Sequence, residues 1–70
     1  EFYIGEAIRQ ARLPKNLTQE ELGARIGVQR AQISRIEKGK NITLANISRL
    51  MKAMEIQATL SITGVGTFVL

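Results

Sequence analysis

The sequence contains no cysteine, no histidine and no aspartate, and its six acidic residues are all glutamate. Without cysteine, the chain has no disulfide and no thiolate metal site. Most hydrolytic, metal-dependent and acid–base catalysis uses the residue types that are missing. Glu20 and Glu21 are adjacent carboxylates, but neighbours on a helix point about 100° apart and do not form a catalytic pair. We therefore expect no enzyme activity, no metal and no cofactor.

Long apolar runs are also missing. No stretch approaches the roughly 20 residues of a membrane-spanning helix, and no signal-peptide pattern occurs, so we expect a cytoplasmic protein without membrane contact. At 70 residues the chain is one small domain, and a core of this size is marginal enough to favour a partner or a second copy. Because the chain begins with Glu1 rather than methionine, we expect an N-terminal extension.

Positive charge is in excess. The chain carries a net charge of +4, with a pI of about 10.1 and 44% hydrophobic residues, which is typical of a folded domain. A pI above about 9 favours a polyanionic partner such as nucleic acid. The alternative interpretation is an ordinary solvated basic surface.

The first predicted helix covers residues 2–13. Its apolar stripe comprises Ile4, Ile8, Ala11 and Leu13. Pro14 ends this helix because proline disfavours helical geometry in the residue before it. Residues 15–16 then form a short loop.

The second predicted helix has a clear start signal. Thr18 and Glu21 fit a capping box, and Leu17 and Leu22 have the spacing of a hydrophobic staple. The helix ends before Gly27, where a left-handed residue is favoured.

The third predicted helix starts after Gln29 and stops at Gly39. Ile33 and Ile36 form its apolar side. Its opposite arc carries Arg30, Ala31, Ser34, Arg35 and Lys38. At about 100° per residue, these five side chains share one side of the helix. Such a cationic, hydrogen-bonding face is suited to contact a DNA groove.

A fourth helix, capped by Thr43, is followed by a change of period. The apolar stripe of this helix, which we expect to belong to the core, comprises Leu44, Ile47, Leu50, Met51 and Met54. Alternating apolar residues then predict a strand over residues 56–62, a turn over residues 64–66 and a second short strand or tail over residues 67–70. The backbone groups of the first strand need partners, which could come from the tail, another protein or the same strand of a second subunit.

Two short helices joined by a tight, glycine-containing turn form the helix-turn-helix pattern. Gly23 lies inside the second predicted helix, where glycine costs about 1 kcal/mol relative to alanine. Its presence predicts a close approach of the third helix.

The sequence resembles the phage-repressor/Cro-type (XRE) helix-turn-helix family over about residues 8–54. The resemblance rests on two segments, LTQEELGARIGV at residues 17–28 and ISRIEKG at residues 33–39. It implies a mainly α fold, namely a four-helix repressor-like domain over residues 1–55. Residues 56–70 would add a C-terminal β-strand or hairpin that is paired in a dimer or contacts a partner.

The resemblance and hydrogen-bonding chemistry together predict contacts to double-stranded DNA. Base-reading residues are expected to be Gln29, Arg30, Ala31, Ser34 and Arg35, since arginine can donate two bonds to guanine and alanine can contact a thymine methyl. Phosphate-contacting residues are expected to be Thr18, Gln19, Gln32, Lys38, Lys40 and Asn41. The resemblance also implies a structural ion pair between Arg12 and Glu37, which removes Glu37 from the reading face.

Specific binding by one recognition helix usually requires two half-sites about one DNA turn apart. Many family members dimerise through a fifth helix, but this sequence has a strand there instead. We expect dimerisation through Ile56, Ala58, Leu60 and Ile62. A strand after four helices resembles the HipB-like antitoxins of type II toxin–antitoxin modules, whose strands pair between subunits.

Three functions are compatible with these features. The first is a repressor that binds a palindromic operator as a homodimer and regulates its own operon. The second is an antitoxin that also neutralises a cognate toxin. The third is a coactivator-like module that bridges proteins and binds DNA weakly, without sequence preference.

Overall fold

A computed structural model describes residues 4–70, so residues 2 and 3 of the first predicted helix lie outside the described residues. The described residues form four α-helices followed by an antiparallel hairpin. The elements are α1 (Ile4–Arg12), α2 (Gln19–Ile26), α3 (Arg30–Glu37), α4 (Leu44–Ala53), β1 (Thr59–Ile62) and β2 (Gly66–Val69). The predicted mainly α class with a C-terminal hairpin is confirmed.

Helix α1 ends one residue earlier than predicted. A single 3₁₀ turn, Leu13–Lys15, follows it, and Asn16 closes that turn in the left-handed conformation with φ 56°. Pro14 fits the first turn of a 3₁₀ helix because its missing N–H is not needed there. Leu13, the last member of the predicted apolar stripe, is 45% exposed and lies in this turn rather than in α1.

Helix α2 begins with the predicted capping box. The Glu21 N–H donates to Thr18 Oγ1 at 3.0 Å, and the Thr18 N–H donates to Glu21 Oε1 at 2.9 Å. The helix ends at Gly27, whose φ of 76° is left-handed, as predicted. Local sequence therefore defines both ends of α2.

Nine buried apolar side chains form the core of residues 4–70. They are Ile8, Leu17, Leu22, Ile33, Ile36, Ile47, Leu50, Met51 and Met54. Full burial of a side chain of this size stabilises a fold by about 1.5–3 kcal/mol. The predicted place of Leu44 in this core is wrong, because it lies in the first turn of α4 and is 52% exposed.

Two glycines allow α3 and its preceding turn to approach the other helices. A Cβ atom at Gly5 would overlap the carbonyl oxygen of Ile36 and lie 2.8 Å from that of Glu37. At Gly23, a Cβ atom would lie 2.6 Å from the Val28 carbonyl oxygen. The close approach predicted at Gly23 is confirmed, and its nearest atom belongs to the turn that leads into α3.

Helices α2 and α4 are joined by two arginines at their ends. Arg25 Nη1 donates to the carbonyl oxygen of Ala53 at 2.9 Å, and Arg49 Nη2 donates to that of Ile26 at 2.9 Å. Each guanidinium thus satisfies a carbonyl at the C-terminal end of the other helix, where intrahelical partners run out. The two bonds thus connect the C-terminal end of α2 to α4 and the C-terminal end of α4 to α2.

The hairpin pairs the predicted strand with the tail of the same chain. Thr59 is opposite Val69 and Leu60 is opposite Phe68, and the turn contains Gly64 with φ +81°. Strand β1 is shorter than the predicted 56–62, because the first residues of that range lie against the helical core. Gly66, predicted as part of the turn, opens β2 instead.

Candidate nucleic-acid interface

Helix α3 has one buried and one accessible side. Ile33, Ile36 and Glu37 are buried between the other helices. The exposed residues of the outward side are Arg30, Ala31, Arg35 and Lys38, with Ser34 half-buried among them. The structure therefore brings the predicted base-reading residues of α3 together on one surface with a cationic character.

The two ends of α3 carry further predicted contacts. Gln29 has the extended backbone of an N-cap residue (φ −84°, ψ 158°), but its side chain makes no capping hydrogen bond and is exposed. At the other end, the Lys40 N–H donates to the Arg35 carbonyl oxygen at 2.9 Å. This bond holds the exposed side chains of Lys40 and Asn41 beside the end of the helix.

Arg12 and Glu37 form a bidentate salt bridge in the interior. Arg12 Nε lies 2.7 Å from Glu37 Oε2, and Arg12 Nη2 lies 3.1 Å from Glu37 Oε1. Arg12 Nη1 also donates to the Leu17 carbonyl oxygen at 2.9 Å. The bridge joins α1 to α3 and neutralises the carboxylate of α3, which would otherwise repel phosphate.

Gln19 extends this network towards the outward face of α3. Its Nε2 donates to Glu37 Oε1 at 3.0 Å, and the residue is half-buried at the start of α2. It lines one cleft together with Thr18 and Arg30, and another together with Ser34. One amide hydrogen of Gln19 is thus committed to Glu37, and its side-chain oxygen accepts none of the hydrogen bonds found within residues 4–70.

The N-terminus of α2 supplies donors for a phosphate. The capping box uses the backbone N–H groups of Thr18 and Glu21. Those of Gln19 and Glu20 take part in none of the hydrogen bonds found within residues 4–70. Backbone donors at a helix N-terminus favour an anion, so the predicted phosphate contact at Gln19 gains a main-chain donor.

Two carboxylates border this N-terminus. Glu20 is exposed and lines a cleft with Arg30. The hydrogen bond from the Thr18 backbone N–H lowers the pKa of Glu21, and the nearby Thr18 side chain adds to this effect. Gln32, predicted to contact phosphate, is half-buried and lies beside the apolar side of α3 rather than on its outward arc.

The predicted dimerisation residues differ in their surroundings. Ile56 and Ala58 are half-buried and pack against the core of their own chain. Leu60 is also half-buried, whereas Ile62 is 44% exposed near the hairpin turn. Ile62, at the end of β1, therefore offers more accessible apolar surface than Ile56 and Ala58, which precede β1.

No helix of residues 4–70 is long and apolar enough to cross a membrane. The same residues contain no group of three or more acidic, histidine or cysteine side chains arranged to hold a metal ion.

The two packed helices, the glycine turn and the cationic face of α3 define a helix-turn-helix domain of the DNA-binding class. Comparison with known proteins agrees, since the helix-turn-helix family model matches residues 8–60. The chain belongs to this family, of the XRE type, which confirms the resemblance seen in the sequence.

One curated relative extends this comparison. The chain is 35% identical over 57 residues to the uncharacterized HTH-type transcriptional regulator y4aM of Sinorhizobium fredii. The alignment covers 80% of this chain but only 40% of that relative, so the chain spans less than half of the relative's length. No solved structure matches the chain.

Proposed function

We propose that the chain is a sequence-specific repressor that binds a palindromic operator as a homodimer. The observation that carries this proposal is the outward face of α3, where Arg30, Ser34 and Arg35 lie together while Glu37 is neutralised inside. The relative in Sinorhizobium fredii is named a transcriptional regulator. Regulation of transcription is therefore the role that we assign to DNA binding by this chain.

In the proposed complex, α3 enters the major groove with its outward face towards the bases. Arg30 and Arg35 can each donate two hydrogen bonds to guanine O6 and N7, and Ala31 can contact a thymine methyl. The backbone N–H groups at the start of α2 meet a phosphate on one side of the groove. Lys38 and Lys40 meet the phosphates on the other side, which fixes the register of the helix.

A homodimer follows from the size of the reading surface. An eight-residue α3 (Arg30–Glu37) spans little more than two helical turns and reads few base pairs. Two copies related by a two-fold axis read two half-sites about one DNA turn apart, which gives a palindromic operator. A positive charge of +4 on each copy strengthens binding to DNA through counterion release.

The experiment selects binding sites for the chain from a random DNA pool and measures the affinity of the winner against a scrambled sequence. We expect a palindromic site and at least a ~1,000-fold preference. Arg30→Ala should relax the preference at one base pair of each half-site, whereas Lys40→Ala should weaken binding to all sequences alike. Equal affinity for selected and scrambled DNA would refute the proposal.

An antitoxin is the second candidate function, and the hairpin after the four helices favours it. An antitoxin needs a protein-binding surface beside its DNA-binding domain, and the hairpin has exposed apolar side chains at Ile62, Val65 and Phe68. Co-expression with the product of the adjacent gene tests this function. A stable complex that inhibits a toxic activity would support the antitoxin function. If no such complex forms, the chain is a repressor without a toxin partner.

A further inference from the structure

An apolar groove of about 320 Å³ lies between α1, α4 and the base of the hairpin. Ile4 and Leu44 form its outer wall, and they are 48% and 52% exposed. Ile47, Leu60 and Leu70 also line the groove. Among residues 4–70, no charged side chain lines this groove.

The apolar face of the hairpin continues the surface of the groove. Side chains alternate along a strand, so Leu60, Ile62 and the cross-strand neighbour Phe68 share one face. Thr59, Ser61 and Thr67 lie on the other. Ile62 is 44% exposed and Phe68 is 47% exposed, while Leu60 also lines the groove. Groove and outer hairpin are thus one apolar surface that is continuous through Leu60.

The distribution of charge indicates what can cover this surface. All ten basic and six acidic residues lie within residues 1–55, and residues 56–70 carry no charge. Two copies with a net charge of +4 each repel one another wherever their basic helices meet. A contact between uncharged surfaces avoids this repulsion and the cost of burying unpaired charges. Edge strands are commonly protected by charged side chains, and this hairpin has none.

We propose that a second copy of this chain covers this surface by reciprocal exchange of hairpins. Ile62 and Phe68 of each copy contact the groove wall formed by Ile4 and Leu44 of the other. The outer hairpin with Ile62 and Phe68, which we call the arm, and the groove belong to one surface. A two-fold axis can therefore place the arm of each copy in the groove of the other, as an isologous dimer requires. The inference rests on the homodimer of the proposed function and specifies its contact, which differs from pairing of the hairpins with each other.

Sedimentation of the chain without DNA tests this contact. We expect a dimer for the wild type, and a dimer dissociation constant at least about 30-fold higher for Phe68→Lys or Leu44→Glu, because each buries an unpaired charge. Val69→Lys is the matched control, since it lies on the same strand but on the opposite face and should remain dimeric. Leu44→Glu places an acid in the first turn of α4, where the helix dipole favours it.

Circular dichroism shows whether each variant is folded. If Phe68→Lys or Leu44→Glu unfolds, Ile62→Lys or Ile4→Glu replaces it at the same contact. The experiment thus always has one folded variant in the hairpin and one in the groove.

Mixing an arm variant with a groove variant separates the proposal from its alternatives. In a mixture of Phe68→Lys and Leu44→Glu, one arm–groove contact is intact and the other pairs Lys with Glu. We therefore expect a heterodimer, although each variant alone is monomeric. Pairing of hairpin with hairpin predicts instead that Leu44→Glu is as dimeric as the wild type and that mixing restores nothing.

Two results would overturn hairpin exchange. One is a dimeric Leu44→Glu, which would place the dimer contact elsewhere. The other is a monomeric wild type, which would show that a second copy does not cover this surface. A monomer that still prefers one DNA sequence would refute hairpin exchange and the homodimer but leave sequence-specific DNA binding intact. A dimer without sequence preference would refute the proposed repressor and leave hairpin exchange intact.

Discussion

Arg12 and Glu37 hold opposite charges inside the domain, with residue exposures of 8% and 5%. Burial of either charge alone is costly, but two hydrogen bonds between the side chains and one to the Leu17 carbonyl compensate. Gln19 donates a third hydrogen bond to the Glu37 carboxylate. A single buried pair therefore connects the packing of α1 and α3 to a residue of the candidate DNA interface.

Arg12→Met is expected to destabilise the fold by about 3–5 kcal/mol, because it leaves the Glu37 carboxylate buried without its cation. The double variant Arg12→Met with Glu37→Met removes both charges and should recover a large part of this loss. Urea denaturation of the single and double variants measures both effects.

Arg9 provides the control for Arg12. It forms a salt bridge with Glu6 at 3.2 Å on the surface, where its side chain is 48% exposed. Exposed pairs of this kind contribute about 0–1 kcal/mol, so Arg9→Met should change stability little. Equal losses for Arg9→Met and Arg12→Met would contradict the structural importance of the buried pair.

Helix ends account for most of what the sequence predicted correctly at the scale of elements. Thr18 caps α2 and Thr43 caps α4. Each side-chain oxygen accepts a hydrogen bond from the backbone N–H three residues later. These signals are local, so they can be recognised without knowledge of the fold. Leu44 and the first residue of β1 were misplaced because tertiary packing decides how far a periodic pattern continues, whereas Leu13 was misplaced because the 3₁₀ turn at Pro14 ends α1 earlier.

Contacts between elements were less predictable. The space at Gly5 and the two arginine bonds between α2 and α4 depend on residues that are more than 20 positions apart. No local pattern distinguishes Arg25 and Arg49 from solvated arginines. The outward face of α3, by contrast, follows from the spacing of Ile33 and Ile36 alone, and its contact with DNA stays a prediction.

The capping box at α2 should make stability depend on pH. The hydrogen bond from the Thr18 N–H lowers the pKa of the Glu21 carboxyl below its ordinary value of 4.5. The charged carboxylate therefore stabilises the fold fully above that value, and the contribution is lost as the pH falls through the lower, folded pKa. We expect Glu21→Gln to be less stable than the wild type at pH 7 and to approach it at an acidic pH below the folded pKa, as measured by urea denaturation.

Glu20→Gln is the matched control for this pH dependence. Glu20 neighbours Glu21 in the first turn of α2, but its carboxylate accepts none of the side-chain hydrogen bonds found within residues 4–70. The difference in stability between Glu20→Gln and the wild type should therefore change less between neutral and acidic pH. A pH-independent difference for Glu21→Gln would show that the ionised carboxylate does not strengthen the cap.

The whole molecule separates two kinds of surface. The described chain is elongated, with extents of 38 × 22 × 21 Å. All its charges lie in the helical part, and its hairpin is neutral. DNA attracts the first surface through its phosphates, while the second can associate with another neutral surface without electrostatic cost. This division allows one small chain to bind DNA and a second copy of itself at different places.

The number of copies on DNA can be read from the salt dependence of binding. The slope of the logarithm of affinity against the logarithm of salt concentration changes by about 0.9 for each phosphate contact. If two copies bind, Lys40→Ala removes two contacts and should flatten the slope by about 2; a single copy would change it by about 1. Lys52 is the control, because it lines a cleft between α4 and the hairpin rather than the face of α3, and Lys52→Ala should leave the slope unchanged. Fluorescence anisotropy titrations from 50 to 200 mM salt distinguish these outcomes, because DNA binding of this kind changes by orders of magnitude over that range. An unchanged slope for Lys40→Ala would show that Lys40 does not contact DNA.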